Sequence, residues 1–373
     1  MPFKKIIFII KANVENLPPI LPRIISAKSI FEKVVLICTG ISPNNQSFLK
    51  NKGIDVLVVE TGKKKKGLLK ALEWLSFKNK VWTYLKQHTN ALLYMCSADA
   101  AISLGRRLFK KQYIFQCNEL YDDNPFYKRR IGKIALNAKR IIVPEINRAN
   151  IMTVWYGLKT VPVVVPNYPL CFDQQRNQPI SNNYANNLIE NLKNKKIIIY
   201  QGHISLWERD LRPFARALSM LNKDYAFVLM GRNHGHSFEK IKEIYQDTFY
   251  IPEIPSPYHL EVTSHAYIGL LIYNRTSLNN IFCAPNKIYE YACFGIPMIG
   301  NDIPGLLYPI DNNFLGKCSD INSVESIANS LSIIEAEYEH IRQNVLTFYK
   351  RETIDDTIKR LFKEITKNED KSC

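Results

Sequence analysis

Between residues 284 and 305 the chain reads APNKIYEYACFGIPMIGNDIPG, and four side chains near its start are of kinds that bind rather than pack: Asn286, Lys287, Tyr289 and Glu290. A lysine ammonium is a compact positive charge suited to phosphate. A glutamate offers two acceptor oxygens, which suit the vicinal hydroxyls of a ribose or sugar. The local pattern predicts how they are held. Pro285 fits the first turn of a helix, where a missing N–H costs nothing, and the spacing predicts that helix over Lys287–Cys293. Gly295 reads as its C-cap and Pro297 blocks continuation. A buried strand over 296–300 and a turn over 301–305 follow. The polar groups therefore gather at the helix start, where free N–H groups and the helix dipole favour an anion. A capped surface helix with a solvated glutamate fits the same spacing, and spacing alone leaves both open.

Further candidates lie where predicted strands end. An apolar strand over 196–200 runs into Gln201-Gly202-His203, and a glycine at a strand-to-helix turn lets backbone N–H groups approach a phosphate. Arg209 and Arg212 come a few positions later. A strand over 225–230 ends in Gly231-Arg232. In the first half a strand over 112–116 ends in Cys117-Asn118-Glu119-Leu120-Tyr121-Asp122. Polar residues at the C-terminal ends of parallel strands are where open α/β sheets place ligands, although an acid there also suits a helix cap. His203 is a lone histidine at a promising turn. His234 and His236 read as loop residues, and two histidines at i, i+2 without an acidic third ligand are weak support for a metal. No Asp-x-Asp, the pair that would hold a metal-bound diphosphate, occurs at a suitable strand end; no metal or other cofactor is expected. The eight cysteines show no CxxC spacing and read as reduced, mostly buried thiols.

The elements needed to position these residues form two α/β halves. The first reads strand 4–10, helix 20–31, strand 34–38, helix 45–52 and strand 55–60, then strands over 91–95, 112–116, 140–143 and 161–165 with helices between. That order predicts a parallel sheet with right-handed crossovers. The sequence after the first strand, KANVEN, has no glycine, which excludes a dinucleotide fingerprint. Residues 170–194, with seven asparagines and three glutamines, read as a linker plus a lead-in helix. The expected division is 1–168, a linker over 169–195, a second α/β domain over 196–340, and terminal helices over 341–373.

The chain has 373 residues, enough for two full cores. It contains no run of 18 apolar residues and its N-terminus lacks a signal-peptide cleavage pattern, so a cytoplasmic protein is expected. The net charge is +16 and unevenly spread: residues 61–140 carry 18 Lys and Arg against five Asp and Glu, a balance of 18 − 5 = +13. Such a face implies an anionic partner. Four lysines, 63–66, precede a stretch in which Leu68, Leu72, Leu75, Trp82 and Leu85 recur at helical spacing among lysines, with Trp74 and Trp82 adding interfacial character. A basic amphipathic helix with tryptophans suits an anionic lipid surface, and equally suits a helix packed on the sheet with its lysines in water. No nucleic-acid reader motif is present, so nucleic acid is not expected.

The 284–305 stretch closely resembles the nucleotide-binding signature of family-4-type glycosyltransferases of the GT-B fold. Pro285, Lys287, Glu290, Tyr291, Gly295 and Pro297 match its Pro-x-Lys-x-x-Glu-Tyr-x-x-x-Gly-x-Pro run in order. Tyr200–Arg209 and the Pro166-Asn167-Tyr168-Pro169 turn match less specifically, and Glu119 matches weakly, with Asn118 where the family often has histidine. Many members carry two glutamates eight positions apart, and here the earlier one is Phe282. The resemblance implies two Rossmann-like domains with parallel sheets facing an interdomain cleft. It implies a donor nucleotide held by Gly202, His203, Arg209, Arg232, Asn286, Lys287, Tyr289 and Glu290. Catalytic roles fall to Glu119, orienting the acceptor, and to Arg209 and Lys287, stabilising the leaving pyrophosphate in place of a metal. The expected reaction is a retaining, metal-independent sugar transfer from a nucleotide-sugar to a saccharide or lipid-linked acceptor in bacterial surface-polysaccharide synthesis. The expected location is the inner face of the cell membrane, reached through the basic region 61–140. The same fold also serves sugar-nucleotide 2-epimerases, and the missing first glutamate would suit a non-catalytic GT-B binding module.

Overall fold

A computed structural model describes residues 3–60, 68–221 and 223–367. The chain forms two compact units. Residues 1–167 group with the C-terminal helix Arg351–Lys367, and residues 168–350 form the other unit.

In the first unit seven strands run in chain order: β1 (Lys5–Ile9), β2 (Lys33–Cys38), β3 (Asp55–Val58), β4 (Ala91–Met95), β5 (Tyr113–Gln116), β6 (Arg140–Val143) and β7 (Val163–Val164). They lie side by side in the order β3-β2-β1-β4-β5-β6-β7, every pair parallel. Ile7 sits between Val35 and Leu93 in register. The central strands are buried along nearly their whole length, as expected of a parallel sheet covered on both faces, which is why they read as apolar runs rather than alternations. The helix Arg351–Lys367 returns to this sheet. Its Phe362 ring meets Phe8, Phe31 and Tyr94 at centroid distances of 6.5, 5.6 and 6.2 Å, and Ser26 donates to Asp355 Oδ1 at 3.1 Å.

The second unit has β8 (Lys196–Ile204), β9 (Tyr225–Asn233), β10 (Thr248–Pro252), β11 (Ile268–Leu271), β12 (Met298–Asn301) and β13 (Gly316–Ser319). Their order is β10-β9-β8-β11-β12-β13, again all parallel. Each sheet reverses direction of winding once, between β1 and β4 and between β8 and β11, and such a switch point leaves a crevice at the carboxyl ends of the two strands.

Most strands fall where the apolar runs predict them. Gly202 does not: β8 and β9 continue to Ile204 and Asn233, so Gly202 lies within a strand, paired with Gly231, rather than at a strand-to-helix turn. The pair is sterically required. Both residues have positive φ, 135° and 148°, and a Cβ on Gly231 would fall 1.9 Å from the Gly202 carbonyl oxygen. Helices at Ser237–Ile244 and Pro304–Ile310 and the strand β13 are additions to the expected set.

The basic helix is Leu68–Lys86. Its second half packs: Phe77, Val81, Trp82 and Leu85 are buried, and Trp82 Nε1 donates to the Leu104 carbonyl at 3.1 Å. Trp82 is therefore a core residue and not an interfacial one. Its first half differs, with Leu72 54% and Leu75 51% exposed. Trp74 lies beneath the Lys11 ammonium at 4.7 Å. The four lysines 63–66 lie outside the described residues. Among the described residues no helix is long and apolar enough to cross a membrane.

Candidate functional site

The signature helix spans Asn286–Ala292, one residue earlier than its spacing predicts at each end, with Pro285 as N-cap. Gly295 follows with φ 65°, the left-handed turn that lets the chain reverse into β12. Ile288, Tyr291 and Ala292 are buried beneath the helix and fix its roll. The Tyr291 hydroxyl donates to the Leu270 carbonyl of β11 at 3.2 Å. Its ring occupies the space above Gly269, where a Cβ would come within 2.5 Å of it.

That roll puts Glu290 inward. Its side chain is 5% exposed, and Oε1 lies 3.3 Å from His259 Nε2. Burial alone would raise the carboxyl. His259 and then Lys287 outweigh it and hold Glu290 below the ordinary carboxylate range. Lys287, on the next face, directs its ammonium at β8: Nζ is 3.8 Å from where a Cβ on Gly202 would stand. Desolvation lowers the Lys287 ammonium below the usual lysine value, Glu290 opposes that, and Arg209 lowers it further.

Arg209 closes the group. The backbone N–H of Arg209 donates to the Ser205 carbonyl at 3.0 Å, its Nη1 donates to the Ile272 carbonyl just past β11 at 2.8 Å, and its guanidinium lies 4.2 Å from the Tyr273 ring centroid. Gly202, two residues before the end of β8, and Ile272, just past β11, flank the switch point of the sheet. Arg209, Lys287 and Glu290 therefore converge on the crevice where such folds bind ligands. Two cations and a carboxylate there match a diphosphate linked to a diol.

The other candidates divide. His203 is exposed and stacks on His234 with centroids 5.1 Å apart and planes 8° apart, and desolvation followed by His234 and Arg232 lowers its imidazole pKa. Arg232, on the neighbouring strand, is ion-paired with Glu253 at the surface. Asn286 occupies the first position of the signature helix, and Tyr289 turns its ring onto Phe348, 5.7 Å away. Phe282 is half-buried just past the short helix Leu278–Ile281. Glu119 belongs to the other unit, where it is half exposed and 3.7 Å from Arg148, whose guanidinium also binds the Asn118 carbonyl. Among the described residues no group of three or more His, Cys, Asp or Glu is placed to hold a metal ion. His259 is the site residue that sequence reasoning missed.

Two Rossmann-like parallel-sheet units of this strand order in one chain define the GT-B fold. Solved structures bear this out. HepE of Anabaena, crystallised in complex with UDP and glucose, superposes with a TM-score of 0.73 at 15% identity, covering 98% of this chain and 100% of HepE. Sucrose-phosphate synthase from Thermosynechococcus elongatus superposes at 0.71 with 14% identity, over 97% and 99% of the two chains. A putative UDP-N-acetylglucosamine 2-epimerase from Listeria monocytogenes superposes at 0.67 with 12% identity, over 97% of each. No protein-family model and no curated protein matches by sequence.

Proposed function

We propose that this chain is a glycosyltransferase that moves a sugar from a nucleotide-sugar donor to a saccharide acceptor. The observation that carries the reading is the convergence of Arg209, Lys287 and the buried Glu290 at the β8–β11 switch point. In this reading Glu290 accepts the ribose hydroxyls and the Gly202 backbone admits the pyrophosphate. Arg209 and Lys287 hold its charge. As the bond from sugar to phosphate breaks, negative charge grows on the departing diphosphate. Two fixed cations in a desolvated crevice stabilise that charge without reorganising, the role a divalent metal plays elsewhere. Transfer with retention needs no strong enzymic base beside these cations. The UDP complex of HepE supports a uridine nucleotide as the first donor to try. Exposed Leu72 and Leu75 beside many lysines support an acceptor at an anionic membrane surface, as lipid-linked chains for surface polysaccharides are.

Thermal unfolding of the full chain with UDP, GDP, CMP, dTDP and ADP, without metal and then with Mg²⁺, tests the donor site. A nucleotide at a hundred times its dissociation constant adds about 2.7 kcal/mol of stability. One nucleotide should do so without metal, and Glu290→Ala or the milder Glu290→Gln should remove most of the effect. Stabilisation by none, or equal stabilisation of both variants, would overturn the assignment. A second reading, a 2-epimerase, is favoured by the Listeria neighbour. It predicts that UDP-N-acetylglucosamine alone, without acceptor, is converted to its 2-epimer, which a transferase would not do.

A further inference from the structure

The carboxyl ends of β8, β11, β12 and β13 enclose a pocket of about 300 Å³ that adjoins the candidate site: Ile272 and Tyr273, which hold Arg209, line it together with Trp207, Arg275, Asp320 and Asn322. Arg209, Lys287 and Glu290 are not among its lining residues. Its volume is at the low end of the ~300–1,000 Å³ typical of small-molecule sites and admits a sugar ring. Trp207 is its most unusual feature: the indole is 96% exposed. It is not exposed on a loose segment. Ser205 and Arg209 bridge antiparallel across the loop, Leu206 N–H donates to Ser237 Oγ at 3.3 Å, and Arg209 ties the far end to Ile272. A backbone-tied turn therefore carries an exposed indole at the pocket mouth.

The polar groups point to the ligand's chemistry. Four carboxylates, Glu208, Asp210, Asp302 and Asp320, line the pocket. Arg212 grips both oxygens of Asp210, and Arg275 pairs with Asp302. The balance is still acidic, which repels a phosphate or carboxylate ligand. Asp320 Oδ1 accepts from the backbone N–H of Asn322 at 3.0 Å, which holds the carboxylate in place. An exposed indole in one lining with carboxylates, amides and one guanidinium matches a polyol ring. The indole covers its apolar C–H face, and the planar groups take paired hydroxyls.

We propose that this pocket is a saccharide-binding subsite for a neutral or amino sugar, with Trp207 stacking on the ring and Asp320, Asn322 and Arg275 holding its hydroxyls. That the bound sugar belongs to the acceptor rests on the glycosyltransferase reading; the binding itself does not.

The test is a glycan array probed with the full chain, spanning neutral, amino and acidic saccharides, followed by calorimetric titration of the best binder. A neutral or amino glycan should bind. Acrylamide quenching of wild-type tryptophan fluorescence should fall as it does so. Trp207→Ala should weaken binding about ten-fold or more, Trp207→Phe should keep most of it, and Asp320→Asn should weaken it. Binding to none of these glycans, preference for acidic glycans alone, or binding unchanged in Trp207→Ala would overturn the proposal. Nucleotide stabilisation, measured in parallel, separates the two readings. Trp207-dependent saccharide binding without nucleotide binding would leave the subsite standing and remove the transferase, and the reverse pattern would do the opposite.

Discussion

Lys287 occupies an unusual position for a lysine: desolvation and Arg209 push its ammonium down while Glu290 partly restores it. Its charge is therefore lost at a lower pH than an exposed lysine's. A bound diphosphate favours the charged form, so affinity should fall as pH rises through this lowered value. Above about pH 8 a terminal phosphate, whose second pKa is about 6, no longer changes charge. Above that pH the difference in nucleotide affinity between wild type and Lys287→Arg isolates the lysine from ionisation of the nucleotide base. The wild type should begin to weaken below pH 10.5, the ordinary lysine value, and more steeply than Lys287→Arg, which stays charged throughout. A wild-type profile no steeper than that of Lys287→Arg would remove Lys287 from the phosphate contact. Stability carries the opposite dependence on acid at Glu290. Its carboxyl is held below the ordinary 4.5, so its contribution is complete above that pH and is lost as pH falls below it. Residue chemistry was legible where type and spacing coincide: Lys287 and Glu290 stand three apart at a helix start, and an arginine soon after a glycine-bearing strand end suggests a phosphate. His259 left no such mark. It is a single histidine just past a proline-rich turn, and only tertiary packing brings its Nε2 to Glu290. Arg232 shows the converse, a cation whose sequence position fits the family but whose side chain is paired with Glu253.

The elements were legible wherever burial on both faces forces long apolar runs. Thus β4 and β6 fall on the predicted residues, while β7 shrinks to two residues at the sheet edge. β13, sequence GKCS, has no apolar run and is held by pairing with β12, so no pattern could announce it. The end of β8 was missed because glycine ordinarily marks a turn, and here a facing glycine allows two strands to stay paired. Between these elements one contact sets the site. The Tyr291 ring fills the space that a side chain on Gly269 would need, and so seats the signature helix on β11. Gly269→Ala must displace that ring or the strand, with an overpacking cost of about 1–3 kcal/mol. Denaturant titration should show that loss. Nucleotide affinity should fall as well, since Lys287 and Glu290 ride on the displaced helix. A variant with wild-type stability and affinity would show that the helix is seated by other contacts.

At the scale of the whole molecule the dominant feature is charge: +16 overall, with +13 from residues 61–140 alone. Charge of this kind attracts any polyanion and does not by itself choose between lipid and nucleic acid. The proposal of a lipid partner rests on the helix Leu68–Lys86. Its packed half spends Trp82 and Leu85 on the core of the first unit, while Leu72 and Leu75 remain exposed. A nucleic acid has little use for exposed leucines, whereas a lipid headgroup layer buries them. Binding to vesicles should therefore have two separable parts. The electrostatic part should scale with the anionic lipid fraction and decline with salt, as juxtamembrane lysines contribute about 1 kcal/mol each near such a surface. The apolar part should persist at high salt and depend on the leucines. In a sedimentation assay with phosphatidylglycerol-containing vesicles, Leu72→Ser with Leu75→Ser should leave low-salt binding largely intact. At high salt it should weaken binding about ten-fold, the scale set by burying two half-exposed leucines. Equal loss at both salt concentrations would mean that the leucines support the fold of the helix rather than meet the lipid. Undiminished binding at high salt would place the contact elsewhere on the basic face. Duplex DNA, run alongside, should lose its binding steeply with salt in wild type and variant alike.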